Sequence, residues 1–266
     1  VARNDKGMKK IPLTVALFTS AKGHWGVKDR YLETIRDLDR QIPLNYFSSL
    51  IANVKQEPIN EGYNRINHNL DKYGFEIFNS YGRWDHGEQS HQDGYLSDIN
   101  FIYNQPSVLK VPYVLHLEDD WQFHCYEDDL VYWIDQAISV LEEYPNIAQV
   151  RFPRFSNEFE RIKALRQKHG INSFVAELNN EMFLHNDFSL NPSIFRSRDM
   201  MTAINLLNKN QQTWQRHVEH GLGAALKYLY DVNQLPFVCL NPNKVKVRHI
   251  GSPVGEEDSI EPLIST

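Results

Sequence analysis

Three consecutive acids, Glu118-Asp119-Asp120, follow directly on the apolar run from Val111 to Leu117. Carboxylates packed this closely repel one another unless a cation neutralises them. A hard divalent ion such as Mn2+ or Mg2+ takes carboxylate oxygens and shares its remaining positions with water and substrate phosphates. The apolar run reads as a strand of an α/β sheet, so the acids stand at its carboxyl end, where such sheets gather ligands. A solvated acidic turn is the plainer reading of any acidic pair; the placement after a buried strand and before Trp121 favours a site. The same residue types recur at Glu127-Asp128-Asp129. There they open the clearest helical pattern in the chain, Glu127 to Tyr144, and the helix dipole accounts for them.

Other residues suited to chemistry are scattered. Thr19 and Ser20 close the strand-like run Leu13 to Ser20, and Asn53 stands near the end of a second, Asn45 to Val54. Glu219, in His217-Val218-Glu219-His220-Gly221, is an acid able to take a proton from a hydroxyl. It is equally well explained as an acid beside a helix N-terminus. His249 lies in Val247-Arg248-His249-Ile250-Gly251 near the chain's end. His116 sits inside an apolar strand and reads as a hydrogen-bonded core histidine. Trp84, His86 and His91 fall in the polar stretch Arg83 to Gly94, read as a loop. Arg161, Lys163, Arg166 and Lys168 form a basic stretch in a charged helix or flap, for which a solvated face is the simpler account.

The elements that must position these residues alternate strand and helix in the first half, the pattern of an α/β sheet with helical crossovers. Helices are expected over Asp29 to Arg40, Pro58 to Tyr73 and Tyr95 to Tyr103, with strands at Phe75 to Ser80 and Val111 to Leu117. Later come a strand at Ile147 to Phe152, helices at Ser197 to Asn208 and His217 to Tyr230, and a last strand, Val245 to Ile250.

A chain of 266 residues with 41% hydrophobic content carries one sizeable core, so a single domain is expected. Its net charge of -6 argues against a nucleic-acid partner, which ordinarily leaves a basic footprint. Two distant cysteines, Cys125 and Cys239, read as reduced thiols. No apolar run approaches the length of a transmembrane segment, and a cytoplasmic setting is the simplest expectation.

In Thr19-Ser20, Glu118-Asp119-Asp120, the segment Phe188 to Arg196 (FSLNPSIFR) and Val247 to Gly251, the chain resembles nucleotide-sugar glycosyltransferases of the GT-A fold. The acidic triplet stands where that family has its DxD motif, and the order of the four segments matches across nearly the whole chain. The resemblance implies a Rossmann-like fold with a mixed, mostly parallel sheet flanked by helices. A nucleotide-sugar-binding half would span about residues 11–125 and an acceptor-side half about 126–266. It also implies metal-dependent sugar transfer from a nucleoside-diphosphate donor, commonly a UDP-sugar, to a hydroxyl of a glycan or other acceptor. Thr19, Ser20, Asn53, Glu118 and Asp119 would contact the donor, Asp120 and His249 would hold Mn2+ or Mg2+, and Glu219 would be the base of an inverting displacement. The strict DxD pattern is replaced by Glu-Asp-Asp, which leaves the part played by Glu118 open. Two other readings stand beside this one: a sugar nucleotidyltransferase, and a carbohydrate-binding protein without catalysis that stacks sugars on Trp84, Trp121 and Trp214.

Overall fold

The computed structural model describes residues 10–20, 30–56, 62–81, 88–154, 176–179, 182–185, 188–190, 192–209, 218–230 and 236–250. Strand β1 (Ile11–Ser20) lies inside the sheet with helices packed on both of its faces, and Leu13 to Phe18 are all buried. That is why it reads as an unbroken apolar run rather than an alternation. Helix α1 (Arg30–Gln41) buries Tyr31, Leu32, Ile35 and Leu38 at helical spacing and turns Arg36 and Arg40 to solvent. A 3-10 turn (Leu44–Tyr46) leads into β2 (Phe47–Gln56), followed by α2 (Gly62–Lys72), β3 (Glu76–Tyr81), α3 (Glu88–Tyr103) and the short α4 (Pro106–Leu109). Then come β4 (Tyr113–Glu118), β5 (Trp121–Cys125), α5 (Leu130–Glu143), β6 (Gln149–Arg151), β7 (Ala176–Asn179), β8 (Met182–His185) and β9 (Ser193–Arg196). Helices α6 (Ser197–Lys209) and α7 (Val218–Leu229) precede β10 (Phe237–Leu240) and β11 (Val245–His249).

Nine strands form one sheet in the order β3-β2-β1-β4-β9-β6-β10-β8-β7. The pairings orient all of these strands one way except β8 and β9. The sheet is therefore mixed and mostly parallel, as expected, and it draws strands from both halves of the chain. Alternate residues of β1 serve opposite layers. Leu13, Val15 and Leu17 share a core with α1, α2 and α5, while Ala16 and Phe18 pack with α3, α4, α6 and α7. On the α1 side a second sheet of two strands, β5 and β11, is sewn down by side chains of the helix. The Trp121 amide donates to Thr34 Oγ1 at 3.2 Å and the Phe123 amide to Asp37 Oδ2 at 2.8 Å; Gln41 Nε2 returns a bond to the Phe123 carbonyl at 3.0 Å.

Three expectations need correction. Helix α3 begins at Glu88, so the expected loop from Arg83 to Gly94 is in part helix. The residues Asn45 and Tyr46 belong to the 3-10 turn, and β2 starts at Phe47. Helix α5 starts at Leu130, after the acids, with Asp129 as its N-cap. Strand β11 does not join the central sheet: it pairs antiparallel with β5, an element absent from the sequence reading.

Candidate active site at the β4–β5 turn

Strands β1 and β4 run parallel with Phe18 opposite Glu118, so their carboxyl ends deliver Thr19 and Asp119 side by side. The Thr19 hydroxyl donates to Asp119 Oδ2 at 2.6 Å. Asp119 and Asp120 form the sharp turn through which the chain leaves the central sheet for the β5–β11 pair. On that pair His249 lies opposite Trp121, its ring 4.8 Å from the indole centroid. His249 Nε2 stands 2.8 Å from Asp120 Oδ2, and the Ile250 amide closes the turn by donating to the Asp120 carbonyl at 2.8 Å. Residues a hundred or more positions apart thus meet at one strand end, as the sequence reading asked of Thr19, Asp119, Asp120 and His249.

The Asp120–His249 pair suits a divalent ion. Donor atoms 2.8 Å apart have the spacing of neighbouring ligands in an octahedron with bonds of about 2.0–2.1 Å. Asp120 Oδ1 is buried and has no hydrogen-bond partner among the described residues, an arrangement that favours a cation as partner. No group of three or more His, Cys, Asp or Glu that could hold an ion occurs among the described residues.

Glu118 faces away from this pair, towards α3, because β4 alternates its side chains. Tyr95 donates to Glu118 Oε1 at 2.6 Å. Burial and the neighbouring Asp120 and Asp119 charges push the Glu118 carboxyl up to about 7, against the Tyr95 hydrogen bond, which pulls it down. Burial, followed by the charges of Glu118 and others including Glu219, raises the Tyr95 phenol well above its ordinary range. Asn53 is buried; its amide donates to Ser80 Oγ at 3.2 Å and its Oδ1 has no partner among the described residues. Glu219, in the first turn of α7, accepts from the Leu190 amide at 2.6 Å and from Ser189 Oγ at 3.3 Å through Oε1. It pins the segment before β9, and that structural duty is part of any reading of it. Gly223, one turn further on, lets α7 approach that segment closely: a Cβ there would lie 2.7 Å from Phe188 Cβ.

His116 is the core histidine expected, held by Tyr95 and Tyr103. Tyr95 itself escaped the sequence reading, as did the buried ion pair of Lys55 with Asp98 at 3.3 Å near the carboxyl end of β2. The signal for Tyr95 was there in principle, since a histidine inside an apolar strand demands polar partners from the helix that covers it. The side chains of Ser20 and His91 lie outside the described residues, as do Trp84, His86, Arg161, Lys163, Arg166, Lys168, Asn191, Trp214 and His217.

No protein-family model matches the chain, and no curated protein matches it in sequence. Solved structures do resemble it in shape. GalNAc-T7 with UDP, GalNAc and Mn2+ aligns over 95% of this chain with a TM-score of 0.52 at 7% identity. The chain spans under half of that protein, 46% of its length. Mouse xyloside xylosyltransferase 1 in its apo form aligns over 81% of this chain and 80% of its own, at 10% identity and a TM-score of 0.43. The 4-diphosphocytidyl-2C-methyl-D-erythritol synthase from Anaerococcus prevotii aligns over 86% and 90%, at 12% identity and the same score of 0.43. No conclusion rests on these last two. What the first likeness establishes is the fold, an α/β architecture of the GT-A kind.

Proposed function

We propose that the chain is a metal-dependent glycosyltransferase that moves a sugar from a nucleoside-diphosphate donor to a hydroxyl of a glycan or other acceptor. The observation that carries this is the convergence of Thr19, Asp119, Asp120 and His249 at the carboxyl ends of β1 and β4. Asp120 and His249 would hold Mn2+ or Mg2+, which supplies Lewis-acid stabilisation of the charge growing on the departing diphosphate. Thr19 fixes the Asp119 carboxylate at the donor's ribose, and Ser20 continues the same strand end. The buried Asn53 Oδ1, without a hydrogen-bond partner among the described residues, is an acceptor of the kind that a base edge presenting an N–H, as uracil does, would satisfy, which favours a UDP-sugar. On the acceptor side Glu219, anchored by Leu190 and Ser189, would take the hydroxyl proton in an inverting displacement. No described helix is long and apolar enough to cross a membrane. Two cysteines so far apart in the chain are in keeping with a reducing, cytoplasmic setting.

Calorimetric titration of UDP, GDP, ADP and dTDP, each with and without Mn2+, tests the reading. One of them, UDP first, is expected to bind only with the metal; absence of binding under every condition would return the acidic turn to a structural role. Release of a nucleoside diphosphate rather than pyrophosphate on turnover separates sugar transfer from nucleotidyl transfer. NMR of the product's anomeric carbon checks the base: inversion is expected, and retention removes Glu219 from that role.

A further inference from the structure

At the far end of the sheet from the acidic turn, a cleft of about 380 Å³ opens between Pro145, Arg196, Asp199, Thr202, Leu229 and Tyr230. Its place follows from strand direction. Arg196 ends β9 opposite Tyr113, the first residue of β4, whereas Glu118 is the last. The length of β4, about 17 Å, therefore separates this cleft from the metal pair. Its volume is that of a small-ligand site, and sugar transfer as proposed above does not employ it.

The hydrogen bonds within the cleft decide what it can hold. Arg196 Nη1 donates to the Ile147 carbonyl at 2.6 Å, to Tyr230 Oη at 3.2 Å and to Asp199 Oδ2 at 3.3 Å. Its Nη2 donates to the Leu141 carbonyl and, at 3.1 Å, to the Tyr144 carbonyl, at the end of α5 where the helix dipole favours a cation. A phosphate or carboxylate thus meets a guanidinium whose two terminal nitrogens are already committed. A cation gains little either, because the Arg196–Asp199 ion pair is neutral as a whole.

What the cleft offers is acceptors. Tyr230 and Arg196 both bind Asp199 through Oδ2, so Oδ1 has no partner among the described residues. Thr202, exposed on the next turn of α6, spends its proton on the Arg198 carbonyl at 2.8 Å and keeps a lone pair. Positions i and i+3 of a helix lie about 5–6 Å apart, a spacing that two hydroxyls of one sugar ring can bridge. Pro145, Leu229 and the Tyr230 ring supply apolar wall for the C–H face of such a ring. A neutral ligand with several O–H donors and an apolar face meets all of these conditions.

We propose that this cleft is a second carbohydrate site, which holds one neutral sugar unit of a glycan through hydroxyls donated to Asp199 and Thr202. It works without metal or nucleotide.

Saturation-transfer NMR titrations of the whole chain with maltotriose, cellotriose, chitotriose and mannotriose test this, with a heparin disaccharide and glucosamine trimer as anionic and cationic comparators. At least one neutral trisaccharide is expected to bind saturably, ahead of both charged sugars, in the absence of Mn2+ and UDP. Asp199→Asn leaves an oxygen for Arg196 and Tyr230 but turns an amide donor to the cleft, and should weaken binding about tenfold, the worth of a hydrogen bond to a charged acceptor. Thr202→Lys, at an exposed helical position, sets an ammonium one turn from Asp199 and should do the same at unchanged Tm. No binding by any neutral trisaccharide, preference for a charged one, or binding that survives both substitutions overturns the proposal. A wild type that binds a neutral trisaccharide in this way and no nucleotide upholds this site and removes the donor reading instead.

Discussion

The molecule contains the sequence Glu-Asp-Asp twice, nine residues apart, and uses it in opposite ways. In Glu127-Asp128-Asp129 the acids serve mainly their own neighbourhood. Asp129 caps α5 by accepting from the Tyr132 amide at 2.9 Å, and Asp128 takes the left-handed turn at φ 57°. Glu127 pairs with Lys244 at 3.1 Å on a largely exposed surface. In Glu118-Asp119-Asp120 each acid is claimed by a different distant element: Tyr95 of α3, Thr19 of β1 and His249 of β11. Charge content is the same in both. What differs is that the first triplet ends a buried strand of the central sheet and each of its acids meets a different distant element, whereas the second precedes a helix with an exposed face. Composition locates acids; only topology decides whether they face a common point.

Substitutions should pull the two triplets apart in opposite directions. Asp120→Asn removes the proposed metal ligand and is expected to lower turnover and Mn2+-dependent UDP affinity by about 100-fold or more. Its Tm should not fall, because one charge among three repelling acids is removed. Near-normal turnover at saturating Mn2+ would erase the distinction between the triplets. A second experiment probes the ground on which the first triplet stands. Between about pH 3, the folded value for His116, and about 6.5, its unfolded value, the unfolded chain binds the extra proton. This group therefore makes stability rise with pH through that window, by at most ~1.4 kcal/mol per unit, and has no effect above it. His116→Asn should flatten that acid limb in urea titrations across pH; an unchanged slope would mean that the histidine is not held neutral. The smallest effect belongs to the second triplet. Asp129→Ala should cost about 1 kcal/mol by urea denaturation through the lost N-cap, with nucleotide affinity untouched. A loss of affinity there would show that the two acidic clusters are coupled.

The parts of the fold legible in sequence were those whose burial is locally complete. Leu13 to Ser20 and Val111 to Leu117 read as strands because both faces of the sheet are covered, and helices α1 and α5 declared themselves by one apolar stripe. The β5–β11 pair was hidden for the converse reason. Trp121-Gln122-Phe123-His124-Cys125 is five residues of mixed character, and its partner is 120 positions later. Nothing local reports that pairing, yet it alone brings His249 to Asp120. Strands β7, β8 and β10 were missed on similar grounds, being four residues each with no period to count. The start of α3 was obscured by Gly94 and a polar first turn, and with it went the clue to Tyr95, whose importance depends on facing a histidine in another element. Identity of the acids was legible, and so were Thr19 and His249 among their company; Tyr95 was not.

The stitching of α1 to β5 has a consequence for the protein in a crowded solution. A two-stranded ribbon leaves backbone amides and carbonyls along its outer edge, and such an edge recruits strands from neighbouring molecules. Thr34, Asp37 and Gln41 meet groups of β5 that an intruding strand would otherwise bond: the amides of Trp121 and Phe123 and the carbonyl of Phe123. A helix is thus made to imitate the missing third strand, and its one buried carboxylate, Asp37, resists replacement by a stranger's backbone because the N–H it holds already has a charged partner. The β5 edge of the ribbon that carries His249 is thereby shielded from edge-to-edge pairing.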